Sequence, residues 1–320
     1  MGKNSRALAR TWPYPRYEPF ERELRQTAAD WFKVKGFPVH RRYPFVLDDL
    51  KNWRRNIILS EVADYIEHER KRRQQETKQG FPLHKYVHHG LSSQAMLFNL
   101  VGPLIERNDL SPLEAAFRAK EIPWPAGRVE AVLEVEDREV FNEDSAQPTS
   151  IDLVIRGGEN SPPLFTEFKF VEKEFGGCSV FGKGNCEGRN PASCPERCYL
   201  HHIGRTYWTC MSETGILDGP LKETPICPFA NYYQFFREVL FALSKGGVFV
   251  LLHDARNPTF VSEGPDEKRG LLPFLTSLLP KDVRDKVKQV TVQEVFEAVK
   301  ESGQHEDWAD EFAGKYGLTP

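Results

Sequence analysis

The 320-residue chain has no CxxC pair, no P-loop, no Gly-x-Ser-x-Gly turn, no internal repeat and no low-complexity tract. It therefore lacks the usual zinc-ribbon spacing, the backbone cradle of a nucleotide-hydrolysing loop and the nucleophile elbow of a serine hydrolase. No run approaches the ~20 apolar residues of a spanning helix. Met1 to Arg10 offers scattered basic and small residues where an apolar leader would stand. The expectation is a cytoplasmic protein without membrane contact. A strong charge bias is also missing, since the net charge is −3, but the balance is uneven. Residues 1–90 hold 19 Lys and Arg against 11 Asp and Glu, and the remainder holds 24 against 35. The basic part can face phosphates even though the whole chain is slightly acidic.

Hydrophobic content of 40% with 12% aromatics is enough for a sizeable core, and the length fits one large domain or two small ones. The first twenty residues set Pro13, Pro15 and Pro19 among Trp12, Tyr14 and Tyr17, which predicts an extended arm. Ser60 opens a helix with Val62, Ala63 and Ile66 as its apolar stripe and Arg70-Lys71-Arg72-Arg73 at its end. Ser92 and Ser93 cap a helix that is apolar nearly all round and so is buried. His84, His88 and His89 stand just before it, in reach of a phosphate. Ser111-Pro112 opens another helix, ending before Pro123. Val129 to Glu136 reads as a first core strand, on which Glu134 and Glu136 are within reach of a metal bound at the neighbouring strands, although a solvent-facing place is the expectation for both.

The stretch from Ser150 to Val171 organises the rest. Ile151, Leu153 and Ile155 alternate with Asp152 and Val154, and Phe165, Glu167, Lys169 and Val171 alternate with Thr166, Phe168 and Phe170. Period two predicts two strands, and the Gly-Gly and Asn-Ser-Pro-Pro between them predict an antiparallel hairpin. A hairpin closing symmetrically about that loop sets Asp152 opposite Glu167, with Lys169 two residues further on the same face. Two carboxylates so placed repel each other, and a hard divalent cation such as Mg²⁺ (or Mn²⁺) relieves the repulsion. A neighbouring lysine can orient or deprotonate an attacking water, or stabilise charge on a phosphate. Such a set suits metal-assisted phosphodiester hydrolysis.

Asp152 followed by Glu167-Phe168-Lys169 on adjacent strands resembles the PD-(D/E)XK nuclease superfamily, with its restriction-endonuclease-like fold; Ser150-Ile151 stands where the proline of that name would be. The resemblance covers about Tyr86 to Pro258. It implies an α/β fold, a mixed sheet flanked by helices, with Asp152 and Glu167 as metal ligands, Lys169 as the catalytic lysine and DNA as the substrate. In such nucleases an early helix lends an acidic or amide side chain to the site, for which Gln94, Asn99 and Glu106 are the candidates here. Some branches carry a Gln with a nearby Tyr on the helix after the lysine strand. Tyr233 and Gln234 look similar, although they are adjacent.

That later helix starts near Asn231, where Tyr232, Phe235, Phe236, Val239, Leu240 and Leu243 form a stripe. Lys245-Gly246-Gly247 stops it, and Val248 to Leu252 reads as a buried strand. His253, Asp254 and Arg256 sit at its exit. Leu271–Leu279 and Val283–Lys300 are predicted helices, and Trp308, Phe312 and Tyr316 predict a short docked helix in the tail. Glu174 to Cys227 holds all six cysteines, at 178, 186, 194, 198, 210 and 227, among many glycines. Such a segment cannot easily bury its own core. In a cytoplasmic protein the clustering points to a structural Zn²⁺ on Cys186, Cys194 and Cys198 with Cys178, His201 or His202, against reduced buried thiols. An iron–sulfur cluster, known in some nucleases of the superfamily, is a further option. The expected organisation is a basic, mainly helical region at 1–85, a nuclease-like core at 86–260 with a Cys-rich insertion at 174–228, and C-terminal helices at 261–320. The alternatives are a non-catalytic nucleic-acid-binding or interaction module on the same fold, and a hydrolase using a cysteine with His201 or His202.

Overall fold

The computed structural model describes residues 17–76, 81–143, 148–159, 161–260 and 270–318. Most of the expected N-terminal arm lies outside the described residues, but its last part is a helix, α1 (Tyr17–Val34). The helix forms because Leu24, Ala28, Trp31 and Phe32 recur on one face and are buried. A short ribbon of β1 (Val39–His40) and β2 (Tyr43–Leu47) leads to α2 (Ser60–Glu76). Then come α3 (Ser93–Glu106), capped by the Ser92 hydroxyl accepting from the Ala95 N–H, and α4 (Ser111–Ala119). Three strands follow, β3 (Glu130–Asp137), β4 (Thr149–Arg156) and β5 (Leu164–Lys169). The cysteine-bearing segment folds into single turns and α5 (Tyr207–Glu213). The chain ends through α6 (Pro228–Ser244), β6 (Val248–His253), α7 (Leu271–Ser277), β7 (Val287–Thr291), α8 (Val292–Glu301) and α9 (Glu306–Tyr316).

The five strands lie in the order β3-β4-β5-β6-β7. β3, β4 and β5 pair antiparallel, and β5, β6 and β7 pair parallel, so the sheet is mixed. Helices cover both faces, each over its own apolar cluster. Leu153, Ile155, Phe168, Val250 and Leu252 join α1, α2, α3, α4, α8 and α9 on one side. Val154, Phe165, Phe249 and Leu251 join α5, α6, α7 and the cysteine-bearing segment on the other. Strands buried on both faces explain the unbroken apolar run of β6.

The hairpin register is the expected one, with Leu153 opposite Thr166, Val154 opposite Phe165 and Ile155 opposite Leu164. One helix is not as expected. Residues 287–291, predicted as part of a helix over Val283–Lys300, form β7, and a helix begins only at Val292. Val287 and Val290, three residues apart, fit a helical spacing, and parallel pairing with β6 overrides it.

Within α9, Lys315 is buried, its ammonium donating to the Asn56 carbonyl and lying 4.4 Å from the centre of the Trp31 ring. Burial pushes its pKa well below the ordinary 10.5. Below pH 10.5 the unfolded chain therefore binds a proton that the fold resists, and stability through this group rises with pH. Lys315→Met is expected to raise the urea midpoint at pH 7, by on the order of 1 kcal/mol or more in stability. The Asn56 carbonyl keeps its bond from Asn99. The gain should shrink as pH approaches 10.5; a variant less stable than the parent at pH 7 refutes this account.

Candidate active site

The expected acids meet where the regular pairing of the strands breaks. Backbone pairing of β4 with β5 runs only as far as Leu153–Thr166, and the Asp152 carboxylate then takes the Phe168 N–H at 2.8 Å in place of the next ladder bond. Opposite it on β3, Glu134 has φ 54°, a left-handed conformation uncommon for a side-chain-bearing residue. Leu133 and Leu153 face one cluster while Ile151 and its partner Val135 face the other, so the strand pair rolls over at these two acids. Arg73 of α2 supports the break, its guanidinium donating to the carbonyls of Leu133 at 2.7 Å and Glu134 at 2.6 Å.

On β5, Glu167 and Lys169 are 3% and 5% exposed. The Lys169 ammonium lies 2.6 Å from Glu167 Oε1, and Gln234 of α6 spans the pair, donating to Glu167 Oε1 at 2.7 Å and accepting from Lys169 at 2.8 Å. Gln234 reaches them because α6 is kinked at Tyr232 and the Gln234 N–H binds the Gly176 carbonyl. The adjoining loop passes so close that a Cβ on Gly177 would stand 2.5 Å from the Ala230 carbonyl oxygen. One helical turn beyond Gln234, Glu238 is fully buried, and neither its oxygens nor Glu167 Oε2 finds an N–H or hydroxyl donor; the two carboxyls instead face each other closely enough for one proton to join them.

Three buried carboxylates, those of Glu134, Glu167 and Glu238, and the half-buried one of Asp152 thus share one neighbourhood, among the described residues, with a single ammonium, that of Lys169. Burial, and then repulsion from Glu167 and Glu134, pushes the Asp152 carboxyl well above the usual range. Burial, and then Glu167, does the same to Glu238. Glu134 is pushed to about 8 by burial and by the charges of Glu167 and Glu136, against the Gln94 hydrogen bond. Burial also works against the Lys169 ammonium, but Glu167, Glu172 and Glu238 outweigh it and hold its pKa above the ordinary value. Among the described residues, no three His, Cys, Asp or Glu side chains are already closed around one ion position. The orphaned oxygens of Glu167 and Glu238, with Asp152 and Glu134 beside them, are nevertheless the hard anionic donors that suit Mg²⁺ or Mn²⁺.

The other sequence candidates divide clearly. Gln94 is at the site, donating to Glu134 Oε1 at 2.7 Å and to the Pro82 carbonyl at 2.8 Å. Asn99 serves the fold, bonding Ile58, Asn56 and Tyr316, and Glu106 lies on the surface at the end of α3. Tyr233 turns away from Glu167 into a buried network with Tyr207, Glu143 and Arg237. Asp254 and Arg256 tie the sheet end to α9, since Arg256 also binds the Tyr316 and Gly317 carbonyls. His84, His88 and His89 are lowered by burial, His89 to about 4, so they carry little charge at neutral pH. Of the basic run, Arg72 pairs with Glu69 and Glu76, while Arg70 and Lys71 line an open recess with Gln74 and Phe81.

Sequence reasoning placed Glu134 in solvent and passed over Glu238. The strand break that turns Glu134 inward has no glycine to mark it. Glu238 did leave a trace, since it lies four residues after Gln234 and so on the same helical face. Of the cysteines proposed to hold zinc, Cys178, Cys186 and Cys198 line one small recess, but Cys194 instead donates to Glu196 at 3.4 Å, and Cys227 occupies the recess in its place.

No helix among the described residues is long and apolar enough to cross a membrane. No curated protein and no solved structure matches the chain. A family model described as restriction endonuclease associating with ARP matches residues 25–317, nearly the whole length, and the chain belongs to that family.

Proposed function

We propose that the chain is a Mg²⁺-dependent deoxyribonuclease of the PD-(D/E)XK type. The observation that carries this reading is the set of buried carboxylates with unpartnered oxygens, Glu167 and Glu238, beside Asp152 and the Lys169 ammonium. Burying so much like charge without a counter-ion is costly for folding alone, and the arrangement is explained if a divalent cation completes it. Asp152 and Glu167 hold the ion, with Glu238 or Glu134 able to add a ligand. Bound there, Mg²⁺ polarises the scissile phosphate and acidifies a water.

The protein's own groups do the rest. Lys169, paired with Glu167 and so protonated, donates hydrogen bonds to the attacking water or to charge developing on the phosphate. Gln234 fixes the Glu167–Lys169 geometry from α6, and Gln94 orients Glu134 from α3. Tyr233 acts one step removed, by packing Arg237 and α6. DNA as the substrate follows from the family name and from the resemblance to restriction-endonuclease-like enzymes.

The test is cleavage of plasmid and linear DNA by the purified chain with Mg²⁺ or Mn²⁺, with and without EDTA. Cleavage that needs the metal is expected. Wild type and Lys169→Ala that bind DNA equally and leave it equally intact would instead identify a binding module.

A further inference from the structure

We infer that Cys178, Cys186, Cys198 and Cys227 form a four-thiolate metal centre that fastens the cysteine-bearing segment to the start of α6. The four come from separate turns, Cys178 and Cys198 each preceding a single helical turn, Cys186 in a loop and Cys227 at the N-cap of α6. Yet all four line one recess of about 20 Å³, while Cys194 pairs with Glu196 and Cys210 packs in the core of α5.

The surroundings of the sulfurs are those of metal-bound thiolates. Gly188 donates its N–H to Cys186 Sγ at 3.3 Å. Burial pushes the Cys178 thiol up and that of Cys227 to about 12, against the backbone N–H groups of Phe181 and Val180 at Cys178 and of Phe229 and Ala230 at Cys227, so the charged sulfurs need a cation that the protein does not supply. The rest of the lining is apolar, with Val180, Phe181, Leu200 and Phe229 among it, and no carboxylate or lysine. Thiolates in such a place have no cation from the protein, and soft sulfur donors select zinc or iron over magnesium. Among the described residues no three such side chains are closed around one ion position, so loading requires these thiols to turn toward a common point.

The site also answers a structural need. Residues 178–206 form only short turns, too little regular structure to bury a core of their own. Cys178 N–H meets the Phe229 carbonyl, and Cys227 N–H meets that of Gly188. A metal between these sulfurs therefore fixes the start of α6, the helix that brings Gln234 and Glu238 to Glu167.

The test is metal content, read without any cleavage assay and so independent of the nuclease reading. The full chain, purified anaerobically, is analysed for zinc, iron and acid-labile sulfide. Incubation of the reduced chain with Zn²⁺, or with Fe²⁺ and sulfide, follows if it emerges empty. About one zinc per chain, or an iron–sulfur cluster with its visible absorption, is expected, the two results naming the metal. Cys227→Ser and Cys198→Ser should lose it and Cys194→Ser should keep it. Because the first two variants can misfold, thiol labelling of the wild type gives a second readout: four of the six thiols should become reactive only after phenanthroline is added. Failure to take up either metal, labelling unaffected by the chelator, or loss of metal in Cys194→Ser equal to that in Cys227→Ser overturns the proposal.

Discussion

Lys169→Met should lower metal-dependent DNA cleavage by roughly 10²- to 10³-fold or more, the cost of removing one well-placed donor from a reacting phosphate. It should also destabilise the protein. Among the described residues Lys169 is the only cation paired with the Glu167 carboxylate, and breaking a buried pair by removing one partner costs about 3–5 kcal/mol. A second substitution separates the two effects. Glu167→Gln added to Lys169→Met removes the stranded carboxylate, so the double variant should recover much of the lost stability and none of the activity. A single variant that cleaves at the wild-type rate, or a double variant that regains activity, means that Lys169 is structural.

Glu238→Gln is the complementary case, because the residue lies outside the short motif that gives the site away. Its carboxyl meets no N–H or hydroxyl donor and faces only the carboxyl of Glu167. Neutralising it should stabilise the metal-free protein by about 1–2 kcal/mol. The same change should weaken the metal site. With Mg²⁺ at a hundredfold excess over its Kd, binding to the folded state adds about 2.7 kcal/mol, so wild-type Tm should rise with Mg²⁺ and the rise should be smaller in the variant. Thermal unfolding with Mg²⁺, with Ca²⁺ and with EDTA measures all three quantities. A wild type whose Tm ignores Mg²⁺, or a variant less stable than wild type without metal, removes Glu238 from the site.

How much of this was readable from the chain depended on whether the deciding force was local. The Asp152–Glu167 register was legible because turn chemistry and period two act over a few residues, and both agreed. Gln94 and Gln234 were put forward by the resemblance, which places an amide on an early helix and a Gln on the helix after the lysine strand; nothing local in the chain named their partners. Glu134 was misplaced because alternation was assumed to run through a strand that rolls over, and the arginine supporting that roll, Arg73, is 61 residues away. β7 was read as helix because an edge strand of five residues takes its conformation from the neighbour it pairs with. That Cys227 joins Cys178, Cys186 and Cys198 at one recess was not readable because spacing along the chain says little about which loop folds back: the bridge between Arg189 and Ile226 brings Cys227 beside them.

The first and last helices described, α1 and α9, pack on each other, with Lys35 paired to Glu311 and both helices contributing to the cluster beneath α3. During synthesis, α1 emerges some 270 residues before its partner, and its buried face must wait for the far end of the chain. The core on that side of the sheet closes only after every acid of the site has been translated. A ribosome that stalls before α9 releases a fragment in which the Trp31 ring lacks the Lys315 side chain and Leu24 and Ala28 lack part of their cluster, prey for proteases before the chain is whole.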